Sequence, residues 1–165
     1  MQNRLVKNLK KVYFCSESRT TLKCYLNDTG LLVSQAFDER GIVASDIYRK
    51  LLFGKLEANV GMLVENIVAQ MLAAAGHSLY FFSQASANKE ERMEIDFLLL
   101  KSKVTSRHNI IPIEVKSGKN YTLSSLNKCM TTYAESITSP MMLHAADYKQ
   151  EAGITYLPLY MTPLL

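Results

Sequence analysis

Cysteine is scarce in this chain of 165 residues, with only Cys15, Cys24 and Cys129. The number is odd and no C-x-x-C pair occurs, so neither a disulfide framework nor a zinc site is expected, and reduced thiols in the cytoplasm are. Long apolar runs are missing too, and nothing reaches the length of a membrane span. Positive charge between Met1 and Lys11 is not followed by an apolar segment, so a secretory signal is not expected. None of the seven glycines belongs to a G-x-x-x-x-G-K-[ST] pattern, which excludes ATP hydrolysis through that phosphate loop. Internal repeats and low-complexity stretches are also absent. What remains is ordinary globular composition, 48% hydrophobic and 21% charged, at a length that suits one domain with a sizeable core. A net charge of +4 permits contact with nucleic acid without requiring it.

Charge is uneven along the chain. The N-terminal stretch holds Arg4, Lys7, Lys10, Lys11, Arg19 and Lys23 against one acid, Glu17. Residues 1–22 read as a basic arm or linker, and a solvated linker is favoured over a DNA-contacting arm. Leu5, Val6, Leu9 and Val12 suit a short amphipathic helix there. Asn27-Asp28-Thr29-Gly30 is a turn signal in which Asp28 serves as a turn or cap residue. From Leu31 to Phe53 the pattern suggests helix in pieces, with Ser45 able to cap one of them. The strongest helix runs from Leu56 to Ala75, with Val64, Ile67, Val68, Met71, Leu72 and Ala75 at helical spacing and Gly76 as its stop. Glu65 lies at the border of that apolar stripe, where it faces either the sheet or solvent. His77, just past the stop, reads as a helix-end surface group.

"HSLYFFSQ" reads as a first core strand, and "EIDFLLL" and "IIPIEVKSGK" as two buried strands joined by a polar loop. Both buried strands carry charge: Asp96 in one, Glu114 and Lys116 in the other. Side chains alternate along a strand, so Glu114 and Lys116 share a face, with Ile111, Ile113 and Val115 on the opposite one. Buried charges need a partner, a cation or a polar cleft. Asp96 and Glu114, placed within a few ångströms on adjacent strands with Lys116 alongside, suit a hard divalent cation. Lys101, Lys103 and Arg107 cluster with His108 in the loop between the strands, either as a solvated tip or as a phosphate-contacting edge. Lys119 and Lys128 face either the site or solvent. A helix over 123–134 capped by Ser124 or Ser125, a strand in "MMLHAA" and a last strand in "ITYLPLYM" complete the order α-β-β-β-α-β with a trailing strand.

Asp96, followed after a hairpin by Glu114-Val115-Lys116, resembles the core motif of the PD-(D/E)xK, or restriction-endonuclease-like, nuclease superfamily. Glu65 stands where that superfamily often has a further acid on the preceding helix. The blocks "LKCYLNDTGLL", "GMLVENIVAQMLAAAG", "RMEIDFLLL" and "IIPIEVKSGK" are similar to the uncharacterised domain that ends many bacterial and archaeal AAA-type ATPases, from about Lys23 onward. Ile95, rather than proline, precedes Asp96. The resemblance implies an α/β fold over residues 23–165, an αβββαβ sandwich with a mixed central sheet flanked by helices. It implies phosphodiester hydrolysis by Glu65, Asp96, Glu114 and Lys116, with Mg²⁺ or Mn²⁺ held by Asp96, Glu114 and the carbonyl of Val115. Nucleic acid, as DNA, would run along Lys101, Lys103, Arg107 and Lys119, and an AAA-type ATPase domain would be the partner. Two other readings stay open: a non-catalytic nucleic-acid-binding or regulatory module of an ATPase with a degenerate nuclease fold, or a structural ion pair between Lys116 and Glu114 or Asp96.

Overall fold

The computed structural model describes residues 10–11, 23–38, 60–101, 109–118 and 120–165. Most of the basic arm, the stretch around Ser45, the loop residues Lys103, Arg107 and His108, and Lys119 lie outside the described residues.

Helix α1 (Thr29–Asp38) starts where the turn signal ends. The Asp28 carboxylate accepts the Leu31 N–H at 3.0 Å and the Asp28 carbonyl accepts the Leu32 N–H at 3.0 Å, which is the geometry of an N-cap. Helix α2 (Val60–Ala74) buries Leu63, Asn66, Val68, Ala69 and Leu72. This stripe is rotated from the one the apolar letters suggest, since Ile67 is 36% exposed while Asn66 is buried. At about 100° per residue, Glu65 falls between Leu72 and Ala69. It therefore lies inside the buried stripe and not on its border. The helix ends at Gly76, whose φ of 89° is left-handed. The Gly76 and His77 amides turn back to the carbonyls of Ala73 and Leu72, both at 3.0 Å.

Seven strands form one sheet in the order β1-β2-β3-β4-β5-β7-β6, of which β1 (Lys10–Lys11) contributes only two residues. Those two residues pair with β2 as strand, in place of the helix expected over them. β2 (Tyr80–Gln84), β3 (Met93–Leu100) and β4 (Ile110–Val115) are antiparallel neighbours. β5 (Met141–His144) and β7 (Ile154–Pro158) continue parallel to β4, and β6 (Lys149–Glu151) closes the edge antiparallel to β7. The sheet is mixed because the chain crosses from β4 to β5 through helix α3 (Ser124–Thr132). Leu123 occupies the N-cap position of α3 with no side-chain cap bond, so neither serine caps it; both are already inside the helix. The last expected strand is shortened, since the chain turns from Pro158 into a 3-10 helix over Leu159–Leu164.

Each sheet face has its own core. On one side α2 packs Val68, Ala69 and Leu72 against Phe97, Leu99, Ile113, Leu143 and Leu157. On the other α3 packs Leu126 and Cys129 against Phe82, Ile95, Leu98, Ile110 and Met142. Ile95 and Leu98 share the α3 side although they are an odd number of positions apart. The cause is a bulge: Phe82 pairs with Ile95 and Tyr80 with Leu98, so Phe81 alone faces both Asp96 and Phe97. The fold is thus α/β, a mixed sheet layered between helices. No helix among the described residues is long and apolar enough to cross a membrane.

Candidate functional site

The bulge in β3 decides where Asp96 goes. It turns Asp96 with Phe97 toward the α2 side, where Glu65 arrives from the buried stripe of the helix. Glu94, on the same strand, reaches the same place from the exposed rim. The three carboxylates meet one cation, the ammonium of Lys23. Its Nζ lies 2.9 Å from Glu65 Oε1, 2.9 Å from Glu94 Oε1 and 3.3 Å from Asp96 Oδ1. The Tyr25 hydroxyl donates to Glu65 Oε1, and its ring sits against Phe97 with centroids 5.5 Å apart. The Lys23 ammonium also stands 5.8 Å from the Phe81 ring centroid.

Electrostatics follow from that crowding. Burial pushes the Asp96 carboxyl up to about 6, and the charges of Glu65 and, less strongly, Glu114 add to the shift, while Lys23 and the Val115 N–H oppose it. Burial works against the Lys23 ammonium, but the charges of Asp96 and Glu65, with the hydrogen bonds to Glu65 and Glu94, outweigh it and hold the pKa above the ordinary lysine range. Burial, followed by the Glu65 charge, raises the Tyr25 hydroxyl, so it stays a proton donor.

The other half of the expected motif lies across the sheet. Glu114 is in register with Met142, a residue of the α3-side core, and its charge adds to the burial that pushes the Cys129 thiol up to about 12. Its Oε1 is 2.7 Å from Lys116 Nζ, while its Oε2 is buried without a partner among the described residues. Val115 lies between the two halves and donates its N–H to Asp96 Oδ2 at 2.9 Å. The expected set is therefore divided. Glu65 and Asp96 come together around Lys23, whereas Glu114 and Lys116 pair with each other on the opposite face. Lys101 is exposed at the end of β3 and pairs its backbone N–H with the carbonyl of Asn109 at 2.8 Å.

A divalent cation does not fit this arrangement. Among the described residues, no three His, Cys, Asp or Glu side chains are grouped so as to hold a metal ion. The inner oxygens of Glu65, Glu94 and Asp96 already face the ammonium, and Asp96 Oδ2 is taken by the Val115 N–H. Reading the sequence missed Lys23, Tyr25 and Glu94. Glu94 stands two residues before Asp96, a spacing that would have drawn notice to it. By its sequence Lys23 belongs with the basic arm, and nothing local to it tells of a partner more than forty positions away. A cleft of about 260 Å³ borders the cluster, with Lys23, Tyr25, Leu32, Met62, Glu65 and Glu94 among its walls.

A family described as "Domain of unknown function (DUF4143)" matches residues 60–161, more than half of the chain. No curated protein and no solved structure matches the chain.

Proposed function

Because the chain belongs to the DUF4143 family, whose description assigns no chemistry, we propose a function from the geometry: a non-catalytic nucleic-acid-binding or regulatory module. It is built on a restriction-endonuclease-like frame and works with an AAA-type ATPase domain. The frame reading is supported by the chain order of α2, three antiparallel strands, α3 and a parallel strand, together with the resemblance of the Asp96 and Glu114-Val115-Lys116 motif. The non-catalytic reading rests on one observation. A lysine of the chain itself, Lys23, satisfies Glu65, Glu94 and Asp96 at 2.9 to 3.3 Å. Charge-assisted contacts to the shielded acids Glu65 and Asp96 are worth roughly 1.5–3 kcal/mol each, so an external cation has to displace a strongly held group.

The test is a nuclease assay on the purified chain with Mn²⁺ and with Mg²⁺, on single- and double-stranded DNA, with Asp96→Ala as control. No cleavage is expected. Cleavage that disappears in Asp96→Ala would overturn the reading and favour a metal-dependent nuclease. That second reading draws on the unpartnered Oε2 of buried Glu114, an acceptor that a rearranged site could use. It requires Lys23 to leave the acids and Glu114 to join them.

A further inference from the structure

Residues 23–28 belong to no helix or strand, and Cys24, Leu26, Asn27 and Asp28 are exposed. The segment is nevertheless held along its length by side chains of α2. The buried Asn66 amide takes both backbone groups of Leu26: its Oδ1 accepts the N–H at 2.8 Å and its Nδ2 donates to the carbonyl at 3.0 Å. Asn66 Nδ2 also donates to Thr29 Oγ1 at 2.8 Å, and the Thr29 hydroxyl donates to Gln70 Oε1 at 2.7 Å. Gln70 Nε2 donates to the Asn27 carbonyl. These anchors are polar and come one side chain at a time, with Tyr25 on Phe97 as the apolar contact. Segments held in this way belong to the low-stability end of a domain and open without the core opening. Lys23 and Tyr25 both cross from the segment to β3, Lys23 to Glu94 and Asp96 and Tyr25 to Phe97.

We propose that residues 23–29 form a releasable strap that Lys23 locks over the acid site. It is an autoinhibitory contact in which the chain's own ammonium keeps Glu65, Glu94 and Asp96 from any external cationic group. This inference rests on the non-catalytic reading of the site, in which Lys23 satisfies the acids. In this device Lys23 is a positioning residue. The acids also depend on it, because without the ammonium Glu65 and Asp96 face each other as like charges in a desolvated place.

Hydrogen exchange at the Leu26 amide reads the strap directly, because that N–H is held by Asn66 alone and by no sheet ladder. In the native chain the Leu26 amide is expected to be less protected than the amide of Ile113 in the central strand by about tenfold or more, and in Lys23→Met it should exchange faster by about another tenfold. Methylammonium added to Lys23→Ala should slow Leu26 exchange again by supplying the missing cation. Glu94→Gln alters an acid whose side chain is 56% exposed, so it keeps the fold and should give a smaller but measurable rise. If Lys23→Met does not fold, the Glu94→Gln result decides alone. Native exchange at Leu26 in either folded variant, or protection at Leu26 equal to that at Ile113 in the native chain, would overturn the strap. DNA cleavage by the native chain would sink the non-catalytic reading and leave the exchange result standing; unchanged exchange would sink the strap and leave the assay result standing.

Discussion

The Lys23 ammonium lies 2.9 Å from Glu65 Oε1 although the two residues are 42 positions apart. The contact ties the segment before α1 to the middle of α2, and through Glu94 and Asp96 to β3. It also explains how three carboxylates share one partly desolvated corner. A desolvated acid cluster needs positive charge, and here the chain supplies it.

Removing that charge should be costly. Lys23→Met is expected to lower stability by about 2–4 kcal/mol, since it leaves three carboxylates without their cation. Denaturant melts of Lys23→Met, Asp96→Asn and the double variant give the coupling directly. The second substitution should cost much less once the first is present, with a coupling energy of about 1–3 kcal/mol. Strict additivity would mean that the two residues do not act on each other.

Asp96 also sets a pH dependence with a definite sign. Its pKa rises from an ordinary 3.8 to about 6 on folding, so the folded chain binds that proton more tightly than the unfolded one. Its contribution is therefore most favourable at low pH and declines as pH rises between those two values. Thermal melts across this window should show a loss that Asp96→Asn abolishes. Identical pH profiles for the two proteins would show that Asp96 is not raised.

Gly76→Ala tests the helix stop. A Cβ there meets no atom within 4 Å, so the cost comes from the left-handed backbone alone. About 1 kcal/mol is expected, read as a lower melting temperature without loss of helix signal.

The two described thiols should separate cleanly. Cys24 is exposed, whereas Cys129 is buried with its pKa pushed up to about 12. Brief alkylation followed by peptide mapping should label Cys24 in the native chain and Cys129 only after unfolding. Early labelling of Cys129 would place α3 off the sheet.

The secondary elements that carry strong periodicity were legible in the sequence. α2 and its Gly76 stop, the strands holding Asp96 and Glu114, α3 and β5 all lie where apolar spacing and turn residues place them. The alternation that puts Glu114 and Lys116 on one face also appears, as their 2.7 Å pair. The bulge was not legible. One extra residue in β3 changes which face Asp96 takes, and no local letter announces it. The rotation of α2 was hidden for a related reason. Asn66 occupies a buried position because it binds the Leu26 backbone, a contact between distant segments that overrides its polarity. β6 escaped notice because Lys149–Glu151 are exposed and polar, an edge strand without hydrophobic alternation.

Whether Lys23 or a divalent ion balances Glu65 and Asp96 is read most directly from thermal melts of the native chain in millimolar Mn²⁺ and in chelator. Lys23 already occupies the acids, so the two melts should coincide. A cation bound only by the folded chain would instead add about 2.7 kcal/mol at a hundredfold excess over its Kd. An upward shift of that kind, lost in Asp96→Asn, would contradict the lysine-balanced site.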